Sequence, residues 1–278
     1  MISAKIVADS IGPSGVRLTT FVLTYPRFIH SEFMTHRMLS KNAASSRAIP
    51  CKKTRAMVLK EPAMPCSFSQ NQAGMQAAGD ISPRRQKIAT FVWKAGGVLM
   101  CGVHWILEKL GVHKQHANRV LEPWLHMTVV TTGTDWDNFF QLRCHKMAQP
   151  EFQALAQEMR YIYFKSLPNR LRAGEWHLPF IDESEREILG GSVALIRSVA
   201  RCARVSYLNH EGKKSTPAED GQLYDRLLGS MPIHASPAEH QAMATRNKGY
   251  SGNLRGWIQY RKTLKGENVT KFDPSQAG

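Results

Sequence analysis

The side chains best suited to chemistry lie close together between positions 35 and 47. This stretch reads THRMLSKNAASSR and holds one imidazole, two guanidinium groups, an ammonium group, an amide and three serine hydroxyls. The small residues from Ala43 to Ser46 would let backbone N–H groups approach a bound anion, and Arg47 could add a bidentate contact to phosphate. The same composition would also suit a solvated basic end of a helix. The residue types alone leave both interpretations open.

The charge of the chain indicates anionic partners without identifying them. The 278 residues carry a net charge of +15, and the hydrophobic content of 42% is typical of a globular protein with a sizeable core. The basic residues are scattered, and no aromatic-interleaved motif or zinc finger accompanies them, so nucleic acid is not the favoured partner. Nucleotides, folate polyglutamates and a dinucleotide cofactor suit a positive potential equally well.

The cysteines and the apolar runs indicate the cellular compartment in which the protein is expected. Five widely separated cysteines show no C-x-x-C spacing, and no H-E-x-x-H occurs, so the sequence predicts neither a disulfide framework nor a metal site. The most apolar region, residues 91–107, is interrupted by Lys94 and His104, which favours a buried helix over a membrane span. The N-terminus lacks a signal layout, so a reduced cytoplasmic protein with no membrane association is expected.

Two strands and a short helix are predicted to position the stretch at 35–47. Residues 4–10 and 16–25 have strand patterns, with turn residues between them. Apolar residues at helical spacing in 28–34 predict a helix that delivers His36 and Arg37. Residues 50–85 are rich in proline and poor in periodicity, so they are predicted to be irregular apart from one helical turn.

The remaining elements follow from periodicity and from turn residues. Helices are predicted at 84–110, 114–122, 191–205 and 220–228, with a strand at 124–132 and a linker at 167–190. Arg197, Arg201 and Arg204 of the helix at 191–205 could be no more than a solvated face. Together these elements predict a single α+β domain over 1–264, with an irregular insertion at about 50–83, followed by a flexible tail at 265–278.

A second group of polar residues lies on a predicted helix after the strand at 124–132. Thr134 and Asp135 suit the N-cap, and the apolar spacing predicts a helix that continues to Ser166 with a break or kink at Pro150. Arg143 lies on this helix. Considered alone, such an arginine is more often an ion-pair partner than a ligand.

The pattern H-R-x-x-S-x-N-x-x-S-x-R at 36–47 resembles the signature of the flavin-dependent thymidylate synthases. Thr35 stands where that family has its first arginine, and Ala43 stands where many members carry a glutamate. The second group is similar to the family as well, through N-F-x-x-L-R at 138–143 and A-Q at 148–149, although Met147 replaces a frequent histidine.

Two more stretches resemble the family but stand in a different order. Upstream of the second group, Arg119 aligns with the arginine of A-R-x-x-L-P, with Glu122 in place of leucine. A-R-V-S-Y at 203–207 and H-x-S-P-x-E-H at 234–240 open the protein in the family, but close it here. The resemblance therefore implies a circularly permuted chain, which neighbouring termini would permit. Residues 252–261 can be placed only by their similarity to phage-encoded relatives.

The residues at 234–240 also have a purely structural interpretation. Ser236-Pro237-x-Glu239 is a good helix start, with serine at the N-cap and glutamate at N3. His234 and His240 could be core or capping histidines.

The resemblance implies a fold and a reaction. The fold would be α+β, a twisted antiparallel sheet flanked by helices as in the flavin-dependent thymidylate synthases. The reaction would be reductive methylation of dUMP to dTMP, with FAD as cofactor and methylenetetrahydrofolate and NADPH as co-substrates. The enzyme would be a cytoplasmic homotetramer, in the host cytoplasm if the protein is phage-encoded.

The resemblance also implies roles for residues by their positions in the matched patterns. Cofactor binding is implied for His36, Arg37, Met38, Asn138, Leu142, Ser236 and Glu239. Deoxynucleotide binding is implied for Ser45, Ser46, Arg47, Arg119 and Arg143. Catalytic contacts are implied for Ser45, Arg143 and His234, with no metal.

Three alternative functions remain open from the sequence. The same fold could act on dCMP, or could add hydroxymethyl instead of methyl to dCMP or dUMP for modified phage DNA. The protein could also be a flavin-binding homologue without catalysis. A basic nucleic-acid-binding protein without a cofactor is the third alternative.

Overall fold

The computed structural model describes residues 1–74, 77, 79–205 and 213–268. Its strands are β1 (Ser3–Ile11), β2 (Arg17–Pro26), β3 (Ser40–Ala43), β4 (His126–Gly133), β5 (Asn169–Arg170), β6 (Trp176–His177), β7 (Ala242–Ala244), β8 (Tyr250–Ser251), β9 (Leu254–Arg255) and β10 (Trp257–Gln259). Its α-helices are α1 (His30–Met34), α2 (Cys51–Lys60), α3 (Pro83–Lys109), α4 (Lys114–Ala117), α5 (Trp136–Arg143), α6 (Pro150–Lys165), α7 (Glu183–Arg204) and α8 (Pro217–Leu228). Short 3₁₀ helices lie at Arg27–Ile29, Asn118–Trp124, Ser236–Glu239 and Tyr260–Thr263.

The main sheet has the strand order β3-β4-β2-β1-β5. Its long strands pair antiparallel, and only the short β1–β5 pairing is parallel. In register, Ser40 and Thr20 flank Thr132 from the two sides of β4. The sheet therefore carries part of the stretch at 35–47 on its edge strand. An α+β architecture with an essentially antiparallel sheet is confirmed.

Helices cover both faces of this sheet. Phe21, Leu23 and Tyr25 alternate along β2 toward one face, where they pack with the aromatic residues of α5 and α6. Val22 and Val130 point to the other face and pack against Cys202 of α7. Successive side chains of a strand point to opposite faces of the sheet. Because helices cover both faces here, the central strands are buried on both sides.

Several boundaries differ from the sequence predictions. The proline-rich segment contains a ten-residue helix, α2, which buries Thr54 and Val58 against α3. Of the break or kink predicted at Pro150, the structure has the break: α5 ends at Arg143, and α6 begins anew with Pro150 in its first turn. Gly111, with a φ of 77°, follows Leu110 at the C-cap of α3, where a left-handed glycine often ends a helix. The predicted tail lies mostly outside the described residues, as do Ser206 and Tyr207.

The arginines of α7 are buried, so their interpretation as a solvated face was wrong. Arg197 and Arg201 have side chains only 8% and 3% exposed, and both bind carboxylates. Asp220 of α8, fully buried, accepts a hydrogen bond from Arg197 Nε at 2.9 Å and also pairs with Arg204. These ion pairs join α7 to α8.

A chain of hydrogen bonds crosses the main sheet through two buried histidines. His177 Nδ1 contacts Ser10 Oγ at 2.9 Å, and its Nε2 contacts Thr20 Oγ1 at 2.8 Å. Thr132 Oγ1 links Thr20 to His240 Nδ1 at 2.8 Å. His240 is thus a core histidine that fixes residues 236–240 to β4. Burial lowers the pKa of both histidines to about 3.

Stability should fall as the pH is lowered from about 6.5 to about 5, because of His177 and His240. Both imidazoles are neutral when folded, with a pKa of about 3, but gain a proton near pH 6.5 when unfolded. The unfolded state binds more protons between these values, so each histidine removes about 1.4 kcal/mol per pH unit well below 6.5. Urea unfolding at several pH values measures this slope.

A matched variant, His240→Asn, keeps a nitrogen that can replace Nδ1 toward Thr132. Its stability should depend less steeply on pH than that of the wild type. A free energy of unfolding that stays constant from about pH 7 to 5 would contradict the prediction.

Candidate active site

One cavity collects side chains from both sequence patterns. It has a volume of about 390 Å³ and lies between the turn after α1 and the exposed side of α5. Its lining includes Thr35, His36, Arg37, Met38, Leu39, Asp135, Asn138, Phe139, Leu142 and Arg143. Six residues with an implied ligand role thus share one cavity, although they are about one hundred positions apart in the chain.

His36 and Arg143 are in direct contact inside this cavity. Arg143 Nε donates a hydrogen bond to His36 Nε2 at 2.8 Å, so the imidazole accepts there and is neutral. Burial, followed by the charges of Arg143 and Lys41, lowers the pKa of His36 to about 4. The guanidinium lies 4.6 Å from the ring centroid of Phe152. The pair is therefore a fixed cation beside a neutral base.

Arg143 and Arg37 bring positive charge to this cavity, which the charge of Glu32 offsets in part at Arg143. Neither forms an ion pair with a carboxylate among the described residues, and the side chain of Arg37 is exposed at the cavity. The rim adds apolar surface, since Met38 and Leu142 are 42% and 53% exposed. Cations beside exposed apolar side chains suit an anionic ligand with a planar ring.

Lys41, for which the sequence indicated no role, binds the backbone of the turn at residues 36–39. Its Nζ donates to the main-chain oxygen atoms of His36 at 2.5 Å and Leu39 at 3.0 Å. Burial lowers the pKa of this ammonium group to about 8, while the charge of Glu239 acts in the opposite direction. Lys41 therefore fixes the backbone that presents His36 and Arg37.

The C-terminal segment clamps the same turn. Asn253 Nδ2 donates to Met38 O at 3.1 Å, and Asn253 Oδ1 accepts from Ser40 Oγ at 3.0 Å. Gln259 Nε2 bridges Asn253 Oδ1, Ser40 Oγ and Glu239 O at 2.8, 3.3 and 3.1 Å. Arg255 holds the rim residue Asp135. Residues 250–259 thus position the cavity, a role that their sequence did not indicate.

Fewer backbone N–H groups are available to bind an anion at Ala43 to Ser46 than the sequence predicts. Ala43 ends strand β3, and the N–H of Ala44 donates to Thr128 O at 2.9 Å, so that amide is committed to the sheet. The N–H groups of Ser45 and Ser46 have no hydrogen-bond partner among the described residues. Two amides therefore remain free for an anion.

Ser45 belongs to a second cavity of about 660 Å³, which begins at the end of β3. It is lined by Ala43, Ala44, Ser45, Ala48, Ile49, Ala203, Arg204, Val205, Glu219, Gln222, Leu223, Arg226 and Leu227. The pattern at 203–205 thus faces the pattern at 43–49 across this cavity. Arg47 is exposed nearby in the chain, and its side chain makes no hydrogen bond or ion pair with the described residues.

Glu122 anchors the segment that carries Ser46 and Arg47. Its Oε1 accepts from Ser46 Oγ at 2.8 Å and pairs with Arg27 at 3.1 Å and Arg119 at 3.0 Å. Ser46 is buried, and Arg119 is half exposed outside the lining of either cavity. The replacement of leucine by glutamate at 122 was the signal that could have identified this residue.

The remaining implied residues, His234, Ser236 and Glu239, do not line either cavity. His234 and Ser236 are exposed, and the His234 N–H donates to Leu227 O at the end of α8. Glu239 pairs with Arg261. The 3₁₀ helix Ser236–Glu239 packs against β3, so the C-terminal stretch does lie against the main sheet. Asn42 donates to Cys202 O at 3.0 Å and joins β3 to α7.

A family model and several solved structures match this chain. The model of the thymidylate synthase complementing protein family matches residues 16–169, which include the whole lining of the first cavity but end before residues 203–240. No curated protein matches the chain.

Among solved structures, the chain is similar to the UMP/dUMP methylase PolB from Streptomyces cacaoi with bound 5-Br UMP, with a TM-score of 0.50 and 16% identity over 59% of this chain and 89% of that chain. A structure of the same methylase with 5-Br dUMP gives a TM-score of 0.49 at 16% identity, over 59% and 90% of the two chains. At this identity the first similarity supports the α+β fold alone.

Proposed function

The chain belongs to the family of thymidylate synthase complementing proteins, and from that membership we propose that it methylates a pyrimidine deoxynucleotide with a bound flavin. The favoured reaction is the reductive methylation of dUMP to dTMP. FAD would supply hydride when bound, methylenetetrahydrofolate would supply the carbon, and NADPH would reduce the flavin. Membership supports nucleotide methylation, and the cofactor assignments are our proposal.

The observation that carries the proposal is the contact between Arg143 and His36 in the first cavity. It brings together the patterns at 36–47 and 138–143: a guanidinium without an ion-pair partner among the described residues lies 2.8 Å from a neutral imidazole. A cation fixed in this way needs no rearrangement to stabilise negative charge that develops on a pyrimidine carbonyl. We therefore propose that Arg143 contacts the pyrimidine. His36 would position the Arg143 guanidinium and would contact the flavin.

The first cavity fits one end of a flavin dinucleotide. Arg37 would contact its phosphates, while Met38 and Leu142 would cover an apolar ring face and Asn138 would offer a side-chain amide. Ser236 and Glu239 are further proposed cofactor contacts, since the 3₁₀ helix that carries them packs beside β3. His234 would lie near the folate or the flavin.

The nucleotide phosphate would bind at the second cavity. Ser45 and Ser46 offer free N–H groups, and Arg47 offers a guanidinium without a partner among the described residues. Arg119 remains a candidate for the same phosphate, although its guanidinium pairs with Glu122. β3 joins Leu39 of the first cavity to Ala43 of the second along the chain, and we propose that one nucleotide extends from its phosphate at Ser45 toward Arg143.

The order of the patterns supports a circular permutation. Residues 234–240 contact β3, the strand that carries part of the pattern at 36–47, although almost two hundred positions separate them. A rerouted chain costs little if the packed surfaces survive, because loop-closure entropy grows only logarithmically with length. A homotetramer whose subunits complete each other's sites is part of the same proposal.

Flavin retention tests the cofactor. Wild-type protein reconstituted with excess FAD should keep flavin absorbance after gel filtration. Arg37→Ala should weaken FAD binding by roughly 10- to 100-fold, because a charge-assisted contact to phosphate contributes about 1.5–3 kcal/mol. Arg246→Ala removes the same charge from an exposed position outside both cavities and serves as control. Wild-type protein that retains no flavin would refute the proposal.

Product analysis distinguishes the alternatives once flavin binds. The reconstituted enzyme should convert dUMP, in the presence of methylenetetrahydrofolate and NADPH, to dTMP. Conversion of dCMP would identify the alternative substrate, and a hydroxymethylated product would identify the alternative reaction. Flavin binding without turnover of dUMP, UMP or dCMP would indicate a homologue that has lost catalysis.

A further inference from the structure

A chain of buried hydrogen bonds runs from the inner face of α3 to the segment at 45–49. His104 of α3 and Asn118, the first residue of the 3₁₀ helix after α4, are both completely buried. His104 Nε2 lies 2.8 Å from Asn118 Oδ1, and His104 Nδ1 lies 2.9 Å from a guanidinium nitrogen of Arg55 on α2. Large apolar side chains on the outer face of α3 stay exposed, so only its inner face matches the buried helix that the sequence predicts.

All donors of this chain point the same way. Arg55 can only donate, so His104 Nδ1 accepts, and the proton of the neutral imidazole is on Nε2. His104 Nε2 therefore donates to Asn118 Oδ1. Asn118 Nδ2 in turn donates to the main-chain oxygen atoms of Ser46 at 2.7 Å and Ile49 at 2.9 Å. The guanidinium at one end and the carbonyl groups at the other allow only this tautomer and this orientation of the amide.

The contacts at the carbonyl end fix the peptide units that carry the proposed phosphate ligands. Because a peptide unit is planar, holding the carbonyl group of Ser46 also holds the N–H of Arg47, which donates to Ser45 Oγ at 3.3 Å. Lys114 Nζ donates to the main-chain oxygen of Ala48 at 3.2 Å. The backbone is therefore held on both sides of Arg47, while the N–H groups of Ser45 and Ser46 keep no partner among the described residues.

Apolar packing contributes little to the conformation of this segment. Of residues 45–49 only Ser46 is buried, and the other four are exposed or half-buried. The hydrogen bonds from Asn118 therefore determine which conformation the segment adopts. If the binding conformation were only partly populated, the affinity for a ligand would fall by the same fraction. A buried polar chain in which every group has its partner is rigid, and rigidity is what keeps that fraction high.

From these contacts we propose that Asn118 and His104 are positioning residues, which hold the segment at 45–49 in the conformation that binds the phosphate of the nucleotide. Asn118 acts directly on the backbone, and His104 acts through Asn118 by fixing its amide. Neither residue lines either cavity, so neither would touch the ligand. The inference rests on the proposed function, since it requires the phosphate to bind at Ser45 and Ser46.

The affinity for phosphate tests Asn118. Calorimetric titration with dUMP and with deoxyuridine, which lacks the phosphate, gives the advantage in affinity that the phosphate confers. Asn118→Ala should lower this advantage by about tenfold or more, the loss that corresponds to two hydrogen bonds, and should leave FAD binding unchanged. Asn247→Ala removes an amide from an exposed position outside both cavities and serves as control. An Asn118→Ala variant that is folded by circular dichroism and keeps the full advantage would overturn the proposal.

Two replacements of His104 test the direction of the chain, and they decide the question even if Asn118→Ala does not fold. Glutamine can place its amide nitrogen near the position of Nε2 and keep the donor toward Asn118, whereas asparagine reaches only the position of Nδ1 and loses that donor. His104→Gln should retain the phosphate advantage within about threefold, and His104→Asn should lower it as Asn118→Ala does. Urea unfolding gives the stability of both variants. A phosphate advantage that follows stability, and not the presence of the donor, would show a merely structural network and overturn the proposal.

These binding measurements separate the positioning role from the proposed function, because they need no turnover. A wild type that prefers dUMP to deoxyuridine through Asn118, but methylates no nucleotide, would refute the proposed function and support the positioning role. A wild type that methylates dUMP while Asn118→Ala and His104→Asn bind it normally would refute the positioning role alone. A wild type without any preference for dUMP over deoxyuridine would also overturn it, because the segment would then hold no phosphate.

Discussion

Replacing Arg143 by alanine should lower kcat for nucleotide methylation by at least about 100-fold, the loss typical of removing one group that stabilises developing charge. Arg143 is held by His36 Nε2 at 2.8 Å and by the ring of Phe152, and no carboxylate of the described chain pairs with it. Its charge is therefore available to a ligand, whereas a guanidinium in a surface ion pair would be compensated. Flavin retention should change little.

A second readout tests the geometry independently of activity. Burial contributes most to lowering the pKa of His36 to about 4, and the charge of Arg143 contributes next. Removing this cation favours the protonated imidazole, so the pKa of His36 should rise in Arg143→Ala, as followed by NMR titration. Arg246→Ala removes a distant exposed charge and should change neither quantity. Unaltered kcat and nucleotide affinity in Arg143→Ala would exclude Arg143 from the site.

Replacing Asp220 by alanine should destabilise the protein by about 3–5 kcal/mol, because it leaves buried guanidinium groups without their carboxylate. Asp220 is fully buried, accepts from Arg197 Nε at 2.9 Å and pairs with Arg204, while Arg201 Nε lies at 3.9 Å. Urea unfolding followed by circular dichroism measures the loss.

The control for this prediction lies on the same helix. Asp225→Ala removes an exposed carboxylate from α8 and should change the free energy of unfolding by less than about 0.5 kcal/mol. Asp220→Asn, which retains hydrogen-bonding capacity without the charge, should fall between the two. Equal stability of Asp220→Ala and Asp225→Ala would show that the buried ion pairs contribute little.

The sequence determined the local elements around the site. Alternation in 16–25 predicted β2, and helical spacing in 28–34 predicted the turn of helix that presents His36 and Arg37. Both patterns report which side chains face a core, and for long strands and helices that information is local. The types and spacing of residues 36–47 and 138–143 likewise indicated which side chains could meet, and the first cavity contains members of both.

Tertiary structure decided how polar groups pair over long distances. Ser40 depends on Asn253, which is 213 positions away, and Glu122 supports Ser46 from 76 positions away. The arginines of α7 have the spacing of a solvated face but become buried, because Asp220 and Glu185 supply carboxylates there. Hydrophobic periodicity shows which face of a helix can be buried. It does not show which charge will meet a partner, because that depends on elements brought together only by folding.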